Sequence, residues 1–155
     1  MALDFETGPG WGDATTLGLV ILQADETIEQ EFRQLMTPEQ FSLYHSRIPS
    51  GLEVTGETLA EMEAALPAAV DLLPVGAKLD VIGYACTSAA AVIGEDRVGE
   101  IIRAVRPGVA TTNPLTAVKA ALKALGVRRL GFLTPYVAEV SQAMRRRLED
   151  NGIEI

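Results

Sequence analysis

The stretch LDVIGYACTSAAA, residues 79–91, decides the fold. Val81, Ile82, Tyr84 and Ala85 form a short, mostly apolar run with β-branched and aromatic members. That is how a buried strand reads. The run stops at Cys86, the only cysteine in the chain. Two hydroxyl residues and a run of alanines follow. Thr87 or Ser88 can cap a helix, and Ala89, Ala90 and Ala91 favour one. The thiol is therefore expected where the carboxyl end of a strand meets a helix N-terminus, a place that attracts anions. Two readings of Cys86 stay open on the local pattern alone. It is either a small buried hydrophobe or a reactive thiol in an anion site.

Working outward from this stretch, the same punctuation recurs. Residues 17–22 form an apolar run broken only by Gly18 and ending at Gln23-Ala24-Asp25. Ile28, Phe32, Leu35 and Met36 then follow at helical spacing. Asp25 suits a helix cap, and a strand-end carboxylate could also act in chemistry. Residues 41–48 read as a second strand closed by Pro49-Ser50-Gly51. Its His45 and Arg47 share one face, two residues apart. Either could face an anion, or serve only in packing and surface pairing. Residues 55–73 carry a helical pattern, and Pro67 inside it predicts a kink or break.

On the carboxyl side, residues 96–105 predict a helix and 109–112 a short strand ending in Thr111-Thr112. Asn113-Pro114 opens a helix over 115–125, with proline well placed in its first turn. Residues 128–133 predict a fifth strand ending at Thr134-Pro135-Tyr136. A helix over 137–150 follows, and residues 153–155 read as the opening of a sixth strand. Strands alternate with helices throughout, so the class is α/β with a mainly parallel sheet flanked by helices. Ligands of such sheets bind beyond the carboxyl ends of the strands. The residues gathered there fit a small carboxylate or carbonyl compound. The glycine-rich fingerprints of dinucleotide and P-loop sites are missing.

Composition narrows the function. The 155 residues predict one domain of ordinary size, and a hydrophobic share of 48% is enough for a core. A net charge of -8 argues against nucleic acid as a partner. The cluster Arg145-Arg146-Arg147 reads as a solvated helix face. Residues 1–16, rich in Gly, Asp and Pro, read as an N-terminal arm that Trp11 could anchor. No signal sequence or membrane-length apolar run is present, so no membrane partner is expected. A single cysteine excludes an intrachain disulfide and suits a reducing cytoplasm. One His and one Cys cannot build a zinc site of nitrogen and sulfur ligands, and no metal is expected.

The combination of Tyr84-Ala85-Cys86-Thr87-Ser88 with Thr134-Pro135-Tyr136 resembles the aspartate/glutamate racemase superfamily. Within it the pattern is nearest the maleate cis-trans isomerase and arylmalonate decarboxylase branch. Residues 19–27, LVILQADET, resemble that branch's first strand and loop. The resemblance implies two similar α/β lobes with a site in the cleft between them. The first lobe would span 17–106. Residues 107–155 would begin a second, incomplete lobe, and the chain would be a fragment. Apolar surface and unpaired strand edges would then invite association with a second copy, a homo-oligomer.

The resemblance also implies the chemistry. The protein would be a cofactor-independent isomerase or racemase acting on a small carboxylic acid. Cys86 would be the catalytic thiolate, and a second catalytic residue would lie beyond Ile155. Thr87, Ser88 and Tyr136 would hold substrate carboxylate, and Thr134, Pro135 and Val137 would shape the pocket. Asp25 stands where the isomerases carry a substrate-binding Asn, and its charge opposes a dicarboxylate such as maleate. A decarboxylase is the alternative within the family, although decarboxylases typically carry Gly where Cys86 stands. A non-catalytic small-carboxylate binding domain is the alternative outside it, should the chain be naturally short.

Overall fold

The computed structural model describes residues 3–6, 14–51 and 54–155, so Trp11 lies outside the described residues. The elements follow the alternation read from the sequence. In chain order they are β1 (Thr15–Leu22), α1 (Ile28–Leu35), β2 (Phe41–Ile48), α2 (Gly56–Asp71) and β3 (Val81–Tyr84). Then come α3 (Thr87–Ile93), α4 (Glu95–Val105), β4 (Ala110–Thr112), α5 (Pro114–Ala124) and α6 (Ala138–Glu149). The strands form one sheet in the order β2-β1-β3-β4. Every pairing is parallel, with Leu17 opposite both Leu43 and Val81, and Ile82 opposite Thr111. The sheet thus runs on across residues 106 and 107, because β4 joins β3.

The main core lies between the sheet and the helices α2, α3, α4 and α6. Val20, Ile48, Ile82 and Tyr84 supply the sheet side. Leu59, Met62, Leu66 and Val70 of α2 meet them, with Ala89 to Ala91 of α3, Ile102 of α4 and Met144 of α6. The alanines matter here, because small side chains let α3 approach its neighbours closely. Gly18 serves the same end in β1, where a Cβ would stand 2.8 Å from the Leu73 side chain. Leu19 and Ile21 are buried on the other sheet face.

Three expectations are corrected. Pro67 does not break its helix, and α2 runs unbroken through it. The proline is exposed, so the Glu63 carbonyl it leaves without an i+4 donor is on the wetter side, where water can serve. Residues 128–133 do not form a fifth strand. Among the described residues that segment makes one parallel bridge, Arg129 opposite Glu154. The Leu130 N–H donates to the Glu154 carbonyl at 2.8 Å, and the Glu154 N–H to the Arg128 carbonyl at 2.9 Å. The sixth strand is reduced to the same bridge. A small second core of Leu122, Leu148 and Ile153 lies beneath it, and Phe132 packs against both cores. Parallel strands are stable when both faces are covered. Here Leu133 is 97% exposed and a Cβ on Gly131 would meet open space.

Candidate functional site

Cys86 sits where the sequence put it, at the junction of β3 and α3. It retains extended backbone angles, φ -132° and ψ 110°, and is the N-cap of α3. The cap is the thiol itself, not Thr87 or Ser88 as expected. Cys86 Sγ accepts a hydrogen bond from the Ala89 N–H at 3.4 Å, and Ser88 Oγ stands 3.6 Å away. Only 4% of Cys86 is exposed. Ser88 is buried as well, inside the first turn, so its hydroxyl faces the thiol. Thr87 is half-buried. The reason for the shift is register. The extended backbone continues through Cys86, which aims its side chain into the same layer as Tyr84 and leaves the first free helical N–H groups above the sulfur.

The residues after 133 gather at another helix start. Thr134 Oγ1 and Ser141 Oγ are 2.5 Å apart, and Ser141 Oγ also donates to the Tyr136 carbonyl at 3.2 Å. These bonds close the turn into α6, whose N-cap Val137 offers no side-chain cap. Pro135, Tyr136 and Val137 line one open cavity of about 530 Å³ together with Val54 and Thr55. Tyr136 also packs against the main core that holds Cys86. Thr55 opens α2 through a capping box with Thr58, so its hydroxyl is engaged by the Thr58 N–H at 3.2 Å. The starts of α2 and α6 are therefore neighbours, and a Cβ on Gly56 would stand 3.6 Å from Glu139 Oε1.

Asp25 is tied to its own helix. The N-cap of α1 is Thr27, and the Asp25 carboxylate reaches over it to accept from the Thr27 and Ile28 N–H groups, each at 2.9 Å. The Ile28 N–H does most to hold the Asp25 carboxyl below its ordinary range. The Thr27 N–H and Arg47 add to this, and partial burial opposes them. Arg47 explains the shape of the loop. Its Nη1 donates to the carbonyls of Leu22, Gln23 and Asp25 at 3.1, 3.2 and 2.8 Å, and its Nη2 pairs with Glu29 at 3.0 Å. Arg47 is thus a loop clamp. His45, two residues before it, is half-buried, and its Nε2 has no hydrogen-bond partner among the described residues. Desolvation pushes the His45 imidazole below its ordinary value.

Three residues of this edge were not read as site residues in the sequence. Val54 and Thr55 wall the cavity, and Ser50 has a buried Oγ with no hydrogen-bond partner among the described residues. All three follow β2, so the rule that ligands collect beyond parallel strand ends was the available signal. The reading of Arg145-Arg146-Arg147 as a solvated face holds for the first two. Arg147 is half-buried against Gly94, where a Cβ would stand 3.0 Å from its guanidinium. No helix among the described residues is long and apolar enough to cross a membrane.

The chain is 29% identical over 153 residues to a maleate isomerase of Pseudomonas putida KT2440, covering 90% of this chain and 60% of that protein. No protein-family model matches it. The crystal structure of a maleate isomerase from Pseudomonas putida S16 superposes with a TM-score of 0.74 at 25% identity, over 91% of this chain and 61% of the other. The structure of arylmalonate decarboxylase superposes with a TM-score of 0.62 at 19% identity, over 90% of this chain and 59% of the other, and speaks for the fold alone. The chain thus spans about three fifths of the length of the proteins it matches. It is a homologue of maleate isomerase with the fold of the maleate isomerases and arylmalonate decarboxylase, consistent with the aspartate/glutamate racemase superfamily.

Proposed function

We propose that this protein is a cofactor-independent isomerase of a small carboxylic acid, with maleate as the first substrate to try and Cys86 as its nucleophile. The observation that carries the reading is the setting of Cys86 at a strand end and helix start, with the Ala89 N–H and Ser88 hydroxyl facing its sulfur. Donors in that position stabilise a thiolate. The similarity to a maleate isomerase supplies the substrate class.

The chemistry follows from those groups. The thiolate adds to one carbon of the activated double bond, forming a carbon–sulfur bond. The π electrons move onto the adjacent carboxylate as an enolate. The remaining carbon–carbon single bond rotates, the electrons return, and the carbon–sulfur bond breaks to release thiolate and the trans isomer. No atom is gained or lost. Hydrogen-bond donors at the carboxylate lower the barrier because charge builds there. Thr87 and Tyr136, with the N–H groups at the starts of α3 and α6, are the proposed donors, and Pro135, Val137 and Thr134 shape that end of the pocket. The bonds Asp25 accepts, and Arg47 beside it, hold its carboxylate ionised on its own helix start.

Proton NMR of maleate incubated with the protein tests this. Fumarate should accumulate with the wild-type chain and not with Cys86→Ser. Turnover that survives Cys86→Ser ends the proposal.

A further inference from the structure

The phenol of Tyr84 is the most deeply buried polar group near the thiol, with 1% of the residue exposed. A buried tyrosine hydroxyl ordinarily finds a good acceptor. This one reaches Met62 Sδ at 3.8 Å, a weak thioether acceptor, and also interacts with the Cys86 side chain. Tyr84 and Cys86 are two residues apart on continuous extended backbone, so both side chains enter the same layer of the main core. The Cys86 sulfur already faces the Ala89 N–H and the Ser88 hydroxyl. The Tyr84 hydroxyl is a third donor on that side, placed between Met62 and Cys86.

We propose that Tyr84 is a positioning residue for Cys86, its O–H turning from Met62 Sδ to the sulfur when the thiol loses its proton. The proposal rests on the reading of Cys86 as a nucleophile. Burial drives the phenol above its ordinary value, and the charge and hydrogen bonding of Cys86 add to this, so the hydroxyl keeps its proton wherever the thiolate forms. No proton leaves Tyr84. It donates one hydrogen bond and holds the sulfur in place.

The chain's single cysteine makes the test direct. Iodoacetamide alkylates the thiolate, forming a thioether and releasing iodide. A hydrogen bond to a charged group corresponds to about a tenfold or larger population shift. In Tyr84→Phe the alkylation rate at pH 7 should fall about tenfold, and the deficit should vanish at pH 10. A packing or access effect would lower both rates equally. Equal rates at pH 7, or the same deficit at both values, overturns the proposal. Met62→Leu gives an independent reading by removing the competing acceptor, and it should raise the rate at pH 7. A rate at or below wild type contradicts the proposal even if Tyr84→Phe fails to fold. Neither result depends on maleate. Isomerisation that persists in Cys86→Ser removes the proposed function and leaves the Tyr84 result standing.

Discussion

Two segments of this chain look alike in sequence and differ in space. Residues 79–91 and 128–141 each run from an apolar stretch through hydroxyl residues into a helix. The first becomes β3, paired to β1 on one side and β4 on the other, with Tyr84 and Ile82 fully buried. The second makes one bridge and leaves Leu133 almost fully exposed. The order of residue types is similar in the two, although 128–133 opens on two arginines and has no β-branched member, and neighbours complete the difference. A parallel strand needs a paired neighbour along its length and cover on its faces before its backbone groups and side chains are worth burying.

The contrast can be broken or sharpened by experiment. The largest effect is expected in the sheet. Ile82→Ala should cost about 2–5 kcal/mol in urea unfolding, the range for a truncated core aliphatic. A loss below 1 kcal/mol would mean that β3 is no better supported than the later segment. Next comes the turn after that segment. Under the proposed function, Tyr136→Phe should weaken carboxylate binding by about 1.5–3 kcal/mol, read by maleate titration calorimetry, because it removes a donor to a charged group. Unchanged affinity would leave Tyr136 a packing residue. Asn113 should contribute about 1 kcal/mol, since its Oδ1 accepts from both Leu115 and Thr116 N–H groups at 3.1 Å. Asn113→Ala measures that cap beside the edge strand β4.

A smaller, pH-dependent effect belongs to His45. Its folded-state value lies below its unfolded one, so the unfolded chain binds the proton more readily. Stability is therefore fully present above about pH 6.5 and declines as pH falls below that. Desolvation is the leading cause and Glu29 opposes it, while Arg33 and Arg47 reinforce it. Urea midpoints between pH 7.5 and 5.5 should fall less in His45→Gln than in wild type. The smallest effect is expected at Leu133, where Leu133→Ser should change stability by less than about 0.5 kcal/mol. A loss of 2 kcal/mol there would show that the exposed segment is supported after all.

Much of the fold was legible because its signals are local. Residues 41–48 were bounded correctly by hydrophobic composition and the Pro49-Ser50-Gly51 stop. The helix after Asn113-Pro114 was marked by both its cap and its first-turn proline. The failures are of another kind. A fifth strand at 128–133 depends on partners, which propensity does not encode. Continuity of α2 through Pro67 depends on the proline facing outward, which requires knowing where the core lies. At the candidate site, Cys86 was legible as the residue between strand and helix. That its sulfur would be the cap, and that Arg47 would clamp the loop holding Asp25, depended on side-chain reach across the fold.

The cap has a consequence for any molecule that bonds to the thiol. Cys86 Sγ is the acceptor for the Ala89 N–H at the first turn of α3. A sulfur joined to a second carbon carries a new substituent that competes for the space in which the Ala89 N–H meets it. Labelling Cys86 therefore loosens a backbone hydrogen bond as well as blocking a side chain. The amide of Ala89 becomes a built-in gauge of sulfur occupancy. Its exchange with deuterated solvent should quicken on alkylation, while amides deep in α2 keep their protection.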